Sequence, residues 1–442
     1  MSPMLDLYGN APVWSQVLDW IVLVVIVSSA VSLITLLVVA TRYRQLARRR
    51  VGAHGLRDES EFLWVFLVPA LNEEVTIADS VSRLCTTEAT HAVFLVIDDG
   101  SDDDTARILA GLDDPRLRVL ARTAPDARVG KAAALNAAYQ HLRERVLAEP
   151  SFRGWGDDDV IVAVVDADGR VDAHAPTAVS LDFSDPRVGG TQLLVEIYNR
   201  RTPLTWAQDV EFSSFGRVFQ AGRSWWGTAN MGGNGQFTRL AALRAVDDGR
   251  GPWRDRLTED QDLGVRMIQA GWRGTQNNSA RVRQQGLNSL RRLYRQRVRW
   301  AQGNWQALSL LRGVGRPSLK LFGLMDCVFY LLTPALQLVT GVAFVTAIVL
   351  WTLGVSPYES SMWWVILLFA MLAFGPGLIT MLMRAGRWYT APLAVILVIP
   401  YLVYAWIVFP VLAVALIRQL AGRTSWAKTA RESIAEQTPA EV

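Results

Sequence analysis

The side chains of this 442-residue chain best suited to chemistry lie in a few short polar segments, among them Asp98-Asp-Gly-Ser-Asp102, Asp166-Ala-Asp168 and Leu257-Thr-Glu-Asp-Gln-Asp-Leu-Gly264. Asp166 and Asp168 alternate around a small residue, which aims two hard oxygen ligands at one Mg²⁺ or Mn²⁺. Such an ion bridges a few carboxylates and substrate phosphates; read as structure alone, Asp-x-Asp is a capped turn. Lysine occurs only at positions 131, 320 and 428. Lys131 follows Gly130 at a helix start, where an ammonium and free N–H groups favour a diphosphate. Glu259, Asp260 and Asp262 cluster at another expected helix start. They either cap that helix or hold a carboxylate where it can take a proton from an attacking hydroxyl, and the residues alone leave both open. None of these segments has the glycine spacing of a dinucleotide loop or a P-loop.

Short apolar runs must position these groups. Phe62 to Val68, Val93 to Ile97 and Val160 to Val165 read as strands buried on both faces of a parallel sheet. Between them the pattern predicts helices over Glu73 to Leu84 after an Asn72 cap, Asp103 to Leu112 after a Ser101 cap, and Lys131 to Leu147. Alternating strands and helices imply a doubly wound α/β domain with its ligand site at the carboxyl ends of the strands. Pro69-Ala-Leu-Asn-Glu-Glu74, Asp98 to Asp102 and Asp166 to Asp168 all fall at those ends.

Hydrophobic residues make up 51% and charged ones 19%, which excludes a disordered tail and a small disulfide-stapled scaffold. Cys85 and Cys327 read as buried thiols that do not pair. A net charge of +4 gives no case for nucleic acid as a partner. The charges are unevenly placed: Trp20 to Thr41 has none, and Leu321 to Ile417 has only Asp326, Glu359, Arg384 and Arg387. Trp20 to Ala40 is long enough to span a hydrocarbon core of about 30 Å, and Arg42, Arg44, Arg48, Arg49 and Arg50 follow it. By the positive-inside rule the N-terminus is outside and the following domain cytoplasmic, in a multi-pass protein of the plasma (inner) membrane. Later apolar runs cover about Leu321 to Leu353, Met362 to Met383 and Pro392 to Ile417. The Arg384 to Trp388 connection reads as cytoplasmic and the Ser356 to Ser361 loop as external. The basic tail with Arg418, Arg423, Lys428 and Arg431 conflicts with three further crossings, unless the run containing Asp326 and Pro334 bends into two segments. Three or four C-terminal segments are therefore expected.

Val68-Pro-Ala-Leu-Asn-Glu73, Ile97-Asp-Asp-Gly-Ser-Asp102, Gly130-Lys-Ala-Ala-Ala-Leu-Asn136, Asp166-Ala-Asp168, Thr258-Glu-Asp260 and Gln296-Arg-Val-Arg-Trp300 occur in the order seen in family 2 glycosyltransferases. With apolar runs on both sides, the chain resembles the processive membrane polysaccharide synthases of cellulose, hyaluronan, chitin and poly-N-acetylglucosamine. The match runs from about residue 60 to 305, and the Trp426 to Arg431 tail is similar too. The resemblance implies an α/β GT-A (Rossmann-like) cytosolic domain inserted between transmembrane helices. Its expected parts are an N-terminal transmembrane helix (1–41), the catalytic domain (42–288), an amphipathic interface region with the Gln-x-x-Arg-Trp motif (289–318), membrane segments (319–417) and a basic tail (418–442).

The same resemblance implies inverting transfer from a nucleoside diphosphate sugar, a UDP-sugar above all. Carried over, Pro69, Ala70, Glu73, Asp99, Lys131 and Asp166 hold the nucleotide sugar, and Asp166 and Asp168 the metal. Asp260, with Glu259 beside it, is the catalytic base, and Gln296, Arg299 and Trp300 close over the diphosphate and acceptor. Where relatives carry a short acceptor segment, this chain has Ser224 to Phe237, in which Trp225 and Trp226 either stack on the acceptor sugar or anchor the core or an interface. Leu290 to Leu311 places apolar residues at helical spacing among arginines, which fits an amphipathic helix on the inner leaflet or a core helix with a basic outer face. The expected function is elongation of a β-linked polysaccharide coupled to its translocation, with membrane lipids as partners. The rivals are a single transfer to a polyprenyl phosphate or membrane lipid, and a non-catalytic scaffold or transporter subunit. Intact Asp166, Asp168 and Asp260 argue against the last, as do spans so poor in charge.

Overall fold

The computed structural model describes residues 12–42, 45, 55–314, 319–354, 363–385 and 391–423. Arg44, Arg48 to Arg50, the Ser356 to Ser361 loop with Glu359, Arg387, Trp388, Lys428 and Arg431 lie outside the described residues.

The strands expected from the apolar runs form: β1 (Leu63–Ala70), β2 (Ala92–Asp98) and β4 (Val160–Val164), with β3 (Leu117–Ala121) between the last two in sequence. β5 (Arg170–Val171), β6 (Val188–Ile197), β7 (Gln236–Arg239) and β8 (Arg273–Gln284) complete one sheet in the order β3-β2-β1-β4-β7-β6-β8-β5. β1 runs parallel to β2 and to β4. Side chains alternate between two buried faces, as in parallel sheets covered on both sides. Trp64 and Phe66 meet Phe94 and Phe237 on one face. Leu63, Val65 and Leu67 meet Leu135, Ala138 and Leu142 of the helix Lys131–Glu144 on the other. Each such fully buried side chain contributes about 2 kcal/mol.

The sheet is mixed rather than wholly parallel, because β7 enters antiparallel between β4 and β6. Gly235 N donates to the Val164 carbonyl at 2.9 Å, which holds the glycine-rich segment before β7 against the carboxyl end of β4. Two expected caps are also replaced. Asn72 has φ 54 and Ser101 caps no helix; Asn72 Nδ2 donates to Asp102 Oδ1 at 2.6 Å and Asn72 N to Ser101 Oγ at 3.0 Å. These residues tie together the loops after β1 and β2, so the helices start later, at Ile77 and Thr105.

Four helical runs among the described residues are long and apolar enough to cross a membrane: Val13–Thr41, Leu321–Thr352, Leu367–Arg384 and Pro392–Leu420. The first begins before Trp20 and takes in Asp19. Leu321–Thr352 is one helix of 32 residues despite Pro334, so it is not divided into two segments. The break falls instead at Trp406 and Ile407, between the helices Ala391–Ala405 and Val408–Leu420.

Two of the few charges in these runs, Asp326 and Arg384, bind the α/β domain. Asp326 accepts from Thr228 Oγ1 at 2.6 Å and from Arg223 Nε at 3.3 Å, and Arg384 Nη1 donates to Asp209 Oδ2 at 2.6 Å. The helix Leu290–Ala307 packs Tyr294, Val298, Ala301 and Trp305 against Val408, Val411, Leu412 and Ala415. The apolar face expected to lie on lipid is thus covered largely by the chain's own last helix. Gln302 Nε2 donates to the carbonyl of Arg423 at 2.7 Å, while the start of the Ala391–Ala405 helix packs through Ala394 in one cluster with Ala207 and Val210. One end of the last apolar run therefore lies beside the helix Leu290–Ala307 and the other beside the α/β domain. Cys85 and Cys327 are free.

Candidate active site

The strand order reverses at β1, which pairs β2 on one side and β4 on the other, and a crevice opens at the carboxyl ends there. A cavity of about 510 Å³ occupies it. Pro69, Ala70, Glu73, Asp99, Lys131, Asp166, Asp168, Glu259, Asp260, Gln296, Arg299 and Trp300 all line this cavity. Trp225 and Trp226 do not. They are half-buried, and Trp226 lies beside Gly323 near the start of the apolar helix Leu321–Thr352, a place for an interface anchor.

Lys131 is the electrostatic centre. It opens its helix after Gly130, and Nζ lies 2.6 Å from Asp166 Oδ1 and 3.6 Å from Glu259 Oε1. Burial works against its charge, but Asp166 and then Glu259 outweigh that and hold it above the ordinary lysine range. Asp168 is buried and accepts from Gln285 N at 3.1 Å. Asp99 forms an ion pair with Arg122, yet burial raises its carboxyl above the usual range.

Glu259, Asp260 and Asp262 separate by role. Asp262 turns into the core, where it pairs with Arg266. Glu259 and Asp260, in the first turn of the helix Glu259–Gln269, face the cavity. Burial first, and the Glu259 charge second, push Asp260 up to about 7, against the pull of Lys131. A carboxylate poised there suits a general base at neutral pH.

Two close approaches assemble the site. Gly233, at φ +80, passes so near that a Cβ would sit 3.2 Å from Asp260 Oδ2 and 3.6 Å from Lys131 Nζ. A Cβ on Gly303 would sit 2.5 Å from Thr258 Oγ1, so only glycine lets the helix carrying Gln-x-x-Arg-Trp rest on Thr-Glu-Asp. Sequence reasoning missed several lining residues: Gly232, Gly233 and Asn234 from the segment before β7, Glu211 from the helix Pro203–Ser214, and Tyr330 and Gln337 from the long apolar helix Leu321–Thr352. Asn234 Oδ1 accepts from Asp166 N at 3.1 Å. The run Met231-Gly-Gly-Asn-Gly235 was the available signal, because so many glycines together mark backbone in close approach.

Asp166 and Asp168 offer hard carboxylate oxygens at one rim, and no group of three His, Cys, Asp or Glu among the described residues could hold an ion unaided. The pair fits a Mg²⁺ or Mn²⁺ that takes its other ligands from substrate phosphates and water.

The sequence model described as "Glycosyltransferase like family 2" matches residues 64–303, and the chain belongs to that family. It is 34% identical over 246 residues to the beta-monoglucosyldiacylglycerol synthase of Trichormus variabilis, covering 54% of this chain and 48% of that one. It is 28% identical over 253 residues to the poly-beta-1,6-N-acetyl-D-glucosamine synthase of Staphylococcus aureus, covering 57% and 56%. The chain thus spans about half the length of these curated relatives. Among solved structures, the mannosyltransferase PcManGT of Pyrobaculum calidifontis, in complex with GDP-Man and Mn²⁺, aligns over 91% of this chain and 99% of its own, with a TM-score of 0.57 and 18% identity. The fold is GT-A-like with apolar helices flanking it, and the chain is a glycosyltransferase.

Proposed function

We propose that this enzyme moves a single sugar from a nucleoside diphosphate donor to a hydroxyl of a membrane lipid, with inversion at the anomeric carbon. The observation that carries the lipid acceptor is a second cavity of about 590 Å³ that shares Glu211, Trp300, Asn304, Tyr330, Thr333 and Gln337 with the first. Beyond that shared neck its walls are mostly apolar, with Ile26, Leu33, Leu36, Phe329, Leu336 and Leu372 from three membrane helices. Such walls suit hydrocarbon chains better than a hydrated glycan. Two curated relatives, named for a glycolipid and for a polysaccharide, make both acceptors chemically reasonable.

In the reaction, Asp260 takes the acceptor's hydroxyl proton while the oxygen bonds to the anomeric carbon. The bond from that carbon to the phosphate oxygen breaks, and the nucleoside diphosphate leaves with the electron pair. Lys131 lies where it stabilises the departing charge, and Arg299 and Trp300 border the same space. Pro69, Ala70, Glu73 and Asp99 line the nucleoside end. A Mg²⁺ or Mn²⁺ held by Asp166 and Asp168 would supply further neutralisation of the diphosphate.

The test incubates full-length protein in lipid vesicles with Mg²⁺ or Mn²⁺ and a panel of UDP- and GDP-sugars, then extracts and sizes the products. A lipid carrying one sugar is expected. A water-soluble glycan of many residues would overturn the lipid reading in favour of polymer elongation.

The proposed topology rests on the contacts between the membrane helices and the catalytic domain. The catalytic domain is cytoplasmic, the N-terminus outside, and the last apolar run, tied at one end to the helix Leu290–Ala307 and at the other to the α/β domain, leaves the basic tail in the cytoplasm. This removes the conflict between the tail's charge and the number of crossings. In intact cells a membrane-impermeant maleimide should label a Ser2→Cys variant and spare Thr438→Cys, each made in a Cys85→Ser, Cys327→Ser background. Labelling of Thr438→Cys before permeabilisation would reverse the assignment.

A further inference from the structure

We infer that the acceptor is an electrically neutral lipid, a glycerolipid or other lipid alcohol, whose hydroxyl-bearing head is held in the neck by Glu211, Asn304 and Gln337 while its chains fill the apolar chamber. This rests on the lipid-acceptor reading above.

The neck carries unused hydrogen-bonding capacity. Glu211 receives Arg297 Nη2 at 2.6 Å and Tyr404 Oη at 2.5 Å, both on Oε2. Its Oε1 takes no bond from the described residues, and neither do the side-chain amides of Asn304 and Gln337. A carboxylate oxygen and two amides lining one passage suit an uncharged oxygen-rich head better than an anionic one, since the amides donate to its oxygens while the carboxylate repels an anion. Glu211 and Asn304 are half-buried and Gln337 is exposed to the cavity, so the two amides can donate to the ester oxygens of a glycerolipid head whose hydroxyl faces Asp260.

The charges of the chamber point the same way. Besides Glu211, only Arg223 and Arg297 among the described residues bear charge along its walls. Arg223 pairs with Asp326 and Arg297 with Glu211. The remaining Arg297 Nη1 is buried and has no hydrogen-bond partner among the described residues. Arg297 also stacks over Trp300 at 4.3 Å, which leaves that face of the guanidinium occupied. Both cations of the chamber are thus paired, and Glu211 sets a carboxylate in the neck where an anionic head would have to lie, like charge against like. A phosphate oxygen is moreover already deprotonated at neutral pH, whereas a hydroxyl uses the base the site provides.

The experiment gives full-length protein in phosphatidylcholine vesicles equal amounts of a diacylglycerol and a polyprenyl phosphate, with the donor panel, and measures sugar transfer to each. Diacylglycerol should be glycosylated at least about tenfold faster, and Gln337→Leu and Asn304→Leu should each raise its KM about tenfold while the donor KM moves less than about twofold. Gln337→Asn, which keeps an amide, should recover part of the loss. Preference for polyprenyl phosphate, or an unchanged acceptor KM in both leucine variants, overturns the neutral-head inference and leaves the lipid reading standing. A lipid-free polymer ends both. If the leucine variants fail to fold, the competition on the unaltered enzyme decides by itself.

Discussion

Asp260→Asn should lower sugar transfer by about three orders of magnitude while donor binding stays within a few-fold of the unaltered enzyme. The substitution keeps size and shape, so the packing around the site is preserved, but the amide cannot accept the acceptor's proton. The pH profile supplies the sign. Burial and the Glu259 charge raise the Asp260 carboxyl to about 7, so in the free enzyme it is largely protonated at pH 6 and largely ionised at pH 8. The profile of kcat/KM should therefore climb with pH through about 7 and level off above it, and the residual activity of Asp260→Asn should lose that limb. Transfer at near the original rate, or an unchanged pH limb, would remove Asp260 from the role of base.

Lys131→Met should lower kcat/KM by about a hundredfold and move the rising limb of the remaining activity to higher pH. Both effects have one cause. Nζ stands between Asp166 and Glu259 and also pulls the Asp260 carboxyl down. Without it, Asp166 and Glu259 face the donor's diphosphate unneutralised and Arg299 is the one cation left among the described residues that line the cavity, which weakens donor binding and leaving-group stabilisation. The loss of the cation also favours protonated Asp260, so a higher pH is needed to form the base. Kinetics across pH 5 to 9 would show both. A raised donor KM with an unmoved limb would confine Lys131 to the diphosphate.

Much of this was legible in the chain. The runs Phe62 to Val68, Val93 to Ile97 and Val160 to Val165 are apolar on both alternating faces, a pattern with few folded solutions other than a covered sheet. The acidic segments that follow these runs must then share one rim, because parallel strands bring their carboxyl ends to the same edge of the sheet. Trp20 to Thr41 and the runs after Leu321 were equally clear, because the absence of charge over such lengths is a local property. Asn72 and Ser101 misled because their side chains cap helices in many contexts, and here two loops compete for the same hydrogen bonds.

What the sequence determined by itself was the set of polar side chains that line the cavity, Lys131, Asp166, Asp168 and Asp260 among them, and the division into a polar α/β domain and charge-poor apolar helices. Both are written in residue types and short spacings. Only the tertiary structure decided that Glu211, Asn304 and Gln337 line a neck between the site and the apolar chamber, that Asp262 serves the core, and that the last apolar run returns to the helix Leu290–Ala307. Those residues are distant in sequence, and each sits on a helix whose rotation and depth are set by packing. Which of its faces meets a cavity is a property of all its neighbours together.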